Sequence, residues 1–463
     1  MATVLITANV RVFDDAGMAT GPGLRAWGLA ASLAARGHRT TLAEPRRGPV
    51  AGPPSARDHV TLARWTPGTH DLRQLLTAAD VLVAQPGVEI AAALAGLEPR
   101  CLVVDLYNPV VPEQMAVMAP SEPNLKRLEW ILRCYRYFLA RGDFFLCAGE
   151  RQRLFTLGLL AHAGRLNPLT DLNDLLRLVP MGVEAVPPRD PHGERLLRGR
   201  VVPTDAELLL WPGGIYGWFE AVTAIRALAL LRKTRPRAAL LFVGAENPLD
   251  PSASQAGAAE ARAAARELGL LEAGVYFAPW LPYEARAAMY HESALAVLTH
   301  RPLLEAQLSW RTRSLDCLWG GLPLVVTVGD EVGEIAERAG AARCVPPEDP
   351  EALAGALSDL LADPARRAAM AAAARRLAVE RWSWERVTEP LHQICLDPHA
   401  AADRGVARRL GVGQSARLSH GFLARRLAGR VVGPLRRRLS RSIAAALARR
   451  AAANDPAKEC RHA

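Results

Sequence analysis

The amino-acid sequence predicts an α/β protein made of two doubly wound domains, each built on a parallel sheet. Short apolar runs alternate with longer helix-patterned segments along most of the 463 residues. That alternation is typical of strands and crossover helices in parallel sheets that are covered on both faces. The chain is also longer than a single hydrophobic core usually sustains. We therefore expect two domains of the same kind.

The first domain, predicted for residues 1–190, opens with a clear strand–turn–helix unit. Residues 4–7 read as a buried strand, a Gly-Pro-Gly turn lies at 21–23, and residues 24–36 have a helical pattern. Gly37 suits the C-terminal cap of that helix, where a left-handed backbone is often needed. Further strands are predicted at 40–43, 81–84, 101–104 and 144–147.

The second domain, predicted for residues 191–380, repeats this pattern after a polar, proline-rich segment at 187–193 that suits a linker. Asp349 and Pro350 supply an N-cap and a first-turn proline, which predict a helix over residues 351–361. Strands are predicted at 208–211, 240–243, 275–277, 294–298 and 324–327.

A closing helix is predicted at 381–399 and a basic tail at 400–463. The tail holds 15 Arg or Lys residues against 3 Asp or Glu, a net charge of +12, which leaves −2 of the total +10 for residues 1–399. The folded body therefore gives no electrostatic reason to bind nucleic acid. Arginines interleaved with Leu, Val and Ile could hold the tail on an anionic membrane surface, and a solvated, disordered tail is the alternative.

The cysteine content indicates a reducing compartment. Seven cysteines are scattered singly, without the close pairs of a zinc site or the density of a disulfide-stapled domain. The chain opens on a strand-like run without a signal-peptide pattern, and no stretch of about 18 uncharged apolar residues is present. We expect a cytoplasmic protein, which the tail could hold at the inner face of the cell membrane.

Two glycine-rich turns are candidate ligand sites, because ligands of open α/β sheets bind beyond the carboxyl ends of the strands. The first contains Gly21 and Gly23, with Arg25 close by; the second contains Gly213 and Gly214. Small residues there let backbone N–H groups approach a phosphate. Neither turn has the spacing of a Walker loop or of the dinucleotide fingerprint, so a tight strand-to-helix connection is the alternative for each.

A charged cluster follows the predicted strand at 294–298. Arginines suit the bidentate capture of a diphosphate, and a carboxylate can accept hydrogen bonds from two vicinal ribose hydroxyls. Arg313 and Asp316, three residues apart on one helix, could instead pair with each other. His300 could be a semi-buried histidine with satisfied hydrogen bonds. Glu305 and Arg311 are two further candidates in this cluster.

Two more features add candidates for ligand binding. Gly329 and Glu334 lie where another predicted strand opens into a helix, and Trp218 could stack on a base or a sugar. Core packing is the alternative for the tryptophan. Neither domain has a convincing Asp-x-Asp motif, so we expect no metal and no cofactor.

Three segments stand out together: residues 144–153, 213–220 and 310–323. In combination they resemble a bacterial branch of the retaining glycosyltransferases of family four, and the resemblance spans about residues 1–395. It implies the GT-B fold, in which two Rossmann-like domains face each other across a cleft. It also implies that the second domain binds a nucleotide-sugar donor and the first the acceptor, and that a hexosyl unit passes to a glycan or lipid-linked acceptor with retention of configuration.

The resemblance also suggests roles for individual residues. Family members usually carry two glutamates, separated by seven residues, before a Gly-x-Pro turn. By distance from Pro323 the second position falls on Asp316 and the first on Leu308, so Glu305 is an approximate match. Glu305 and Asp316 are the catalytic candidates. The donor-side candidates are Gly213, Gly214, Trp218, His300, Arg311, Arg313, Gly329 and Glu334; the acceptor-side candidates are Gly21, Gly23 and Arg25.

Arg311 and Arg313 are expected to replace the basic pair that the family carries after the glycine-rich loop and that is missing near Gly213. In such a reaction the leaving phosphate can itself take the acceptor proton. Two kinds of alternative function stay open: another reaction on the same scaffold, such as a nucleotide-sugar epimerase or a phosphorylase, and a non-catalytic binding module. A phosphorylase would need a lysine for its pyridoxal cofactor, and lysines are scarce: Lys126, Lys233 and Lys458.

Overall fold

The structure is a computed structural model that describes residues 1–12, 19–46, 59–67, 70–186, 188, 195–247 and 251–406. In these residues the chain forms two parallel sheets of seven and six strands, with helices between the strands. This confirms the predicted α/β class with two doubly wound sheets. No helix in the described part is long and apolar enough to cross a membrane.

The first sheet has the order β3-β2-β1-β4-β5-β6-β7, and every pairing is parallel. Its strands are β1 Thr3–Thr7, β2 Arg39–Pro45, β3 Val60–Trp65, β4 Val81–Ala84, β5 Cys101–Asp105, β6 Phe144–Cys147 and β7 Leu176–Leu178.

The second sheet has the order β10-β9-β8-β11-β12-β13, again with parallel pairing throughout. Its strands are β8 Glu207–Pro212, β9 Ala238–Val243, β10 Val275–Ala278, β11 Leu295–Leu298, β12 Leu324–Thr327 and β13 Ala342–Val345.

Helices cover the sheets and connect their strands. Those up to β7 are α1 Gly21–Ala35, α2 Asp71–Leu76, α3 Val88–Leu94, α4 Val110–Val117, α5 Glu122–Arg141, α6 Glu150–His162 and α7 Leu172–Leu175. Those that follow are α8 Ala221–Leu231, α9 Pro251–Glu267, α10 Arg286–Glu292, α11 Leu304–Leu308, α12 Thr312–Trp319, α13 Glu331–Arg338, α14 Pro350–Ala362, α15 Pro364–Trp382, α16 Trp384–Val387 and α17 Glu389–Leu396. A 3-10 turn at Tyr283–Ala285 precedes α10.

The central strands match their predicted positions, and the strands that the sequence did not predict all lie at sheet edges. β4, β6 and β12 have the predicted bounds, and all their residues are buried. β3 and β7 flank the first sheet, and β13 ends the second. Edge strands lie partly exposed, as β3 does, so their sequences lack a continuous apolar run.

After the second domain the chain returns to the first. Leu391 and Ile394 of α17 pack in the core that α1 and β1 share. Beyond it, Asp403 forms a buried, bidentate ion pair with Arg165, at 2.6 and 2.7 Å. The first domain therefore includes residues up to about 404. The predicted linker lies almost wholly outside the described residues, as does the tail beyond 406.

Candidate active site

The carboxyl ends of the two sheets face each other across a cleft. The turn after β6 meets the turn after β12, where Arg151 Nη1 donates a 2.9 Å hydrogen bond to the carbonyl oxygen of Gly329. The backbone N–H of Glu150 donates to Glu331 Oε1 at 3.0 Å. Parallel sheets place their ligand sites at this edge. The cleft is therefore where side chains of both domains can reach one ligand.

The glycine-rich turn after β8 holds a buried guanidinium. Gly213 has φ of +88°, and a Cβ atom there would lie 3.0 Å from Nε of Arg313. Arg313 Nη1 donates to the carbonyl oxygen of Gly214 at 2.6 Å, and its guanidinium lies over the rings of Tyr216 and Phe219. Burial lowers the pKa of Arg313 to about 10, so it stays charged at neutral pH. Glycine is needed here both for its backbone angle and for the space that Arg313 occupies.

Arg313 does not pair with Asp316. No ion pair between these two side chains is present in the described part of the chain. Trp218 stacks on Tyr216, with ring centroids 5.0 Å apart, and is partly buried beside the same turn. The structure thus brings together Gly213, Gly214, Trp218 and Arg313 of the predicted donor side.

Arg311, in contrast, is engaged by Glu305. Its Nη1 and Nη2 donate to the two carboxylate oxygens of Glu305 at 2.8 and 2.7 Å. Only 7% of the Arg311 side chain and 1% of the Glu305 side chain are exposed. Ser309 adds a 2.6 Å hydrogen bond to Glu305 Oε1. The prediction of Arg311 as a diphosphate ligand does not fit this arrangement, because its charge is already neutralised inside the domain.

His300 is buried beside this pair with free ring nitrogens. It is 1% exposed, and neither Nδ1 nor Nε2 has a hydrogen-bond partner among the described residues. Burial, aided by the positive charge of Arg311, lowers its pKa well below the usual value, so the ring is neutral. A Cβ atom at Gly329 would lie 3.8 Å from His300 Cε1. The predicted alternative of a satisfied histidine is not met, since one donor and one acceptor are unpaired.

Asp316 lies in other surroundings than Glu305. On α12 it is close to Arg286 and Tyr290 of α10. Burial raises its pKa from 3.8 to about 6, although the charge of Arg286 acts in the opposite direction. Arg286 is itself packed over the ring of Tyr283, at 3.4 Å, and over Trp319. The two predicted catalytic carboxylates therefore face different elements of the second domain.

Glu334 takes part in the contact between the domains. Its Oε1 accepts from the N–H of Gly329 at 2.9 Å, and its Oε2 accepts from Arg151 Nη2 at 2.5 Å. Both carboxylate oxygens are thus occupied by protein groups. The prediction of Glu334 as a donor ligand does not fit this structure, in which it joins the two domains.

On the first domain, Arg25 is likewise unavailable to a ligand. It is fully buried, and its Nε and Nη2 each donate to Asp105 at 2.7 Å, with the Tyr107 ring 4.6 Å away. The prediction of Arg25 as an acceptor ligand does not fit this arrangement, because its charge is neutralised by Asp105. Gly23 is needed for packing, because a Cβ atom would lie 2.9 Å from Cα of Val12.

Gly21 does lie at the cleft. A Cβ atom there would be 3.9 Å from Thr312 Oγ1 of the second domain. It is the first residue of α1, and Pro22 follows it within the first turn, where a missing N–H costs no hydrogen bond.

Glu113 is a cleft residue that the sequence did not indicate. It lies on α4 of the first domain and is partly buried. Its surroundings raise its pKa to about 7: burial is the main cause, the negative charge of Glu305 adds to it, and Arg311 opposes it. No hydrogen bond to its side chain is present in the described part of the chain. A single glutamate in an apolar helix carries no motif, so its position could not be recognised before the domains were placed.

Comparison with known proteins places these features in context. Residues 207–363 match the family model described as glycosyl transferases group 1. Sucrose-phosphate synthase from Thermosynechococcus elongatus has a similar structure, with a TM-score of 0.63 and 17% identity over 85% of this chain and 98% of that chain. No curated protein matches the sequence.

Two other solved structures are similar over nearly the same part of the chain. Anabaena HepE, solved with UDP and glucose, has a TM-score of 0.63 and 15% identity over 86% of this chain and all of its own. Trehalose-6-phosphate synthase OtsA has a TM-score of 0.60 and 12% identity over 86% of this chain and all of its own. At these identities the likeness establishes the GT-B type of fold.

Proposed function

We propose that the chain is a glycosyltransferase, because residues 207–363 match the group 1 glycosyl transferase family model, and that it moves a hexosyl unit from a nucleoside-diphosphate sugar to a hydroxylated acceptor. The acceptor is a glycan or a lipid-linked molecule, and the anomeric configuration is retained, as in the family-four enzymes that the sequence resembles. The donor lies on the second domain and the acceptor on the first.

The guanidinium of Arg313 beside the Gly213–Gly214 turn is the observation that carries this proposal. Arg311 is neutralised by Glu305, whereas Arg313 has a carbonyl oxygen as its hydrogen-bond partner and keeps its positive charge. A diphosphate placed at this turn would meet that charge at the carboxyl edge of the sheet. Preorganised positive charge there stabilises the negative charge that develops on the leaving group.

His300 and Asp316 would contact other parts of the donor. The neutral ring of His300 offers one donor and one acceptor, which suit a sugar hydroxyl or a phosphate oxygen. Asp316, beside Arg286 and Tyr290, would accept hydrogen bonds from the ribose hydroxyls once it is ionised. Glu305 acts indirectly in this arrangement, by holding Arg311.

The transfer breaks the bond between the anomeric carbon and the phosphate oxygen, and the electron pair leaves with the nucleoside diphosphate. The acceptor oxygen forms a new bond to the same carbon, and its proton passes to the departing phosphate. No metal or cofactor is part of this proposal. Contacts between the domains, such as that of Arg151 with Glu334, would exclude water from the reacting groups.

The donor is tested by titrating the protein with UDP, GDP, ADP, dTDP and their sugar conjugates while following thermal stability, since a ligand of the native state must raise it. UDP-glucose is the natural first choice, because HepE has been solved with it. We expect Arg313→Ala to lose most of the response. Arg237→Ala, at an exposed arginine of the same domain, is the matched control and should keep it.

The reaction is tested with the donor so identified and a panel of sugar acceptors. Proton NMR of the product reports the anomeric configuration, and inversion would contradict the mechanism. Nucleotide binding without transfer or donor hydrolysis would instead indicate a binding module.

We also propose that the basic tail holds the enzyme on the cytoplasmic face of an anionic membrane. The support is the charge of +12 in residues 400–463. Sedimentation with phosphatidylglycerol vesicles should be lost in a chain that ends at 406, which keeps Asp403 and Arg404 in the first domain. Equal sedimentation of both chains would refute the idea.

A further inference from the structure

The first domain contains an apolar cavity of about 580 Å³ that extends along α5 and α6 and reaches the carboxyl edge of the sheet. Leu106 and Asn108, which follow β5, line the end of the cavity nearest the cleft, and His162 and Ala163, at the carboxyl end of α6, line its other end. Arg136 and His162 also line it and are exposed, which shows that solvent reaches it. Three helices contribute most of the apolar wall: Val110 and Val111 from α4, Leu132 and Tyr135 from α5, and Phe155 and Leu159 from α6.

Cavities of this size, apolar with a few polar groups, are typical of small-molecule sites. The side chains of Val110, Val111, Phe155 and Leu159 are only partly buried although they are apolar. Filling the cavity with an apolar group would remove this surface from water, which is favourable by about 25 cal/mol per Å².

Glu113 connects this cavity to the reacting centre. It lies on the same short helix as Val110 and Val111, and it interacts electrostatically with the Glu305–Arg311 pair of the second domain. Tyr135, on the wall of the cavity, interacts electrostatically with Glu113. The helix that carries Glu113, α4, lines the cavity with Val110 and Val111 and contacts α11 of the second domain, which carries Glu305.

The charged and titratable groups around Glu113 come from both domains. Tyr107 and Tyr135 face it from the first, and Glu305 and Arg311 from the second. The tyrosines are neutral, because burial raises the pKa of each. The Glu305–Arg311 pair has no net charge. Glu113 is thus left as a hydrogen-bonding group without a protein partner in the described part of the chain.

We propose that Glu113 and this cavity form the acceptor site, which binds a hydroxylated molecule with an apolar portion: the apolar portion fills the cavity, and a hydroxyl donates a hydrogen bond to Glu113. The hydroxyl is thereby directed at the second domain, where the donor sugar would lie. The assignment deepens the proposed transfer reaction and rests on it. It specifies an amphiphilic acceptor rather than a wholly polar glycan.

The test uses the full-length protein and two probes, octyl and methyl β-glucoside, below the micellar concentration and followed by calorimetry. Because the octyl chain adds seven methylenes whose burial is favourable, octyl glucoside should bind at least about tenfold more tightly than methyl glucoside even with partial burial. Leu159→Trp, which fills the cavity, should reduce octyl binding to the methyl level. Leu154→Trp, on the same helix but 69% exposed, should leave it unchanged.

Glu113→Gln should weaken both glucosides by a similar factor, while Glu122→Gln, at an exposed site on α5, should not. Equal affinity for the two glucosides, or no effect of Leu159→Trp, would overturn the proposal. Should Leu159→Trp fail to fold, Val111→Phe fills the cavity from the opposite wall and replaces it.

Donor titrations on the same variants separate this inference from the proposed reaction. Nucleotide affinity should stay within about twofold in Leu159→Trp and Glu113→Gln, because neither residue lies on the second domain. If the unaltered protein binds no nucleotide but prefers octyl glucoside, the transferase proposal is refuted and the apolar site is not. Loss of the octyl preference alone would refute the acceptor site.

Discussion

Glu305 and Arg311 form a bidentate ion pair inside the second domain, with 1% and 7% of their side chains exposed. Such a pair costs little when it is complete, because the attraction offsets the desolvation of both charges. When one partner is removed, the other charge stays buried without compensation. Removing one partner should therefore destabilise the second domain far more than removing both.

We expect Glu305→Gln to lower the free energy of unfolding by about 3–5 kcal/mol, measured by urea denaturation. The double variant Glu305→Leu with Arg311→Met should recover most of this loss, because it leaves no buried charge. Glu207→Gln breaks the more exposed pair with Arg235 and should cost less than about 1 kcal/mol. A large loss that persists in the double variant would contradict this account.

His300 should make the stability of the protein depend on pH. Its pKa is lowered in the folded state, so below about pH 6.5 the unfolded chain takes up a proton that the folded protein does not. Stability should therefore fall as the pH is lowered from 7.5 to 5.

His300→Leu should remove this part of the pH dependence and weaken donor binding, because the unpaired ring nitrogens are lost. His291→Phe changes an exposed histidine and serves as the control. Thermal midpoints between pH 5 and pH 8 would test this, and identical curves for His300→Leu and the unaltered protein would speak against it.

Asp316 should make the stability of the protein depend on pH in the opposite direction to His300. Its pKa is raised to about 6, so between about pH 4 and pH 6 the folded protein holds a proton that the unfolded chain releases. This contribution to stability is lost as the pH rises through that window. Asp316→Asn should then stabilise the ligand-free protein at pH 8 by on the order of 1 kcal/mol.

The same substitution should weaken nucleotide binding, because the ionised carboxylate accepts the ribose hydroxyls. For the unaltered protein, nucleotide affinity should rise as the pH increases through about 6, and in Asp316→Asn this rise should be absent. Asp205→Asn, at a side chain that is 68% exposed, is the control. Calorimetric titrations at pH 5, 6 and 8 provide the measurement. The same pH dependence of nucleotide affinity in Asp316→Asn and in the unaltered protein would refute the role of Asp316 in binding the ribose.

The ion pair that fixes the C-terminal segment to the first domain should contribute to the free energy of unfolding. Arg165 is fully buried and paired with Asp403, 238 residues away. Asp403→Asn should cost about 3–5 kcal/mol of unfolding free energy in urea denaturation, since it leaves the guanidinium uncompensated. Asp397→Asn, at a side chain that is 92% exposed, should cost almost nothing.

Local sequence predicted the central strands well because these strands are buried on both faces. Their apolar runs, such as residues 81–84 and 324–327, have the length of strands and are too short for buried helices. The same reasoning located the Gly213–Gly214 turn, since a strand end followed by two glycines marks the edge where ligands bind. It could not detect β7 or β13, whose composition reflects their exposed edges.

The sequence by itself determined the fold class, the central strands and the position of the Gly213–Gly214 turn at the cleft. Only the tertiary structure decided which charged side chains at the cleft lack an ion-pair partner among the described residues. The partners of the others are distant in the chain or belong to the other domain. Arg25 is neutralised by Asp105, eighty residues away, and Glu334 is engaged by Arg151 of the facing domain. Glu113 has no hydrogen-bond partner for its side chain among the described residues, and a carboxyl group without a partner can be recognised only when its neighbours in the fold are in place.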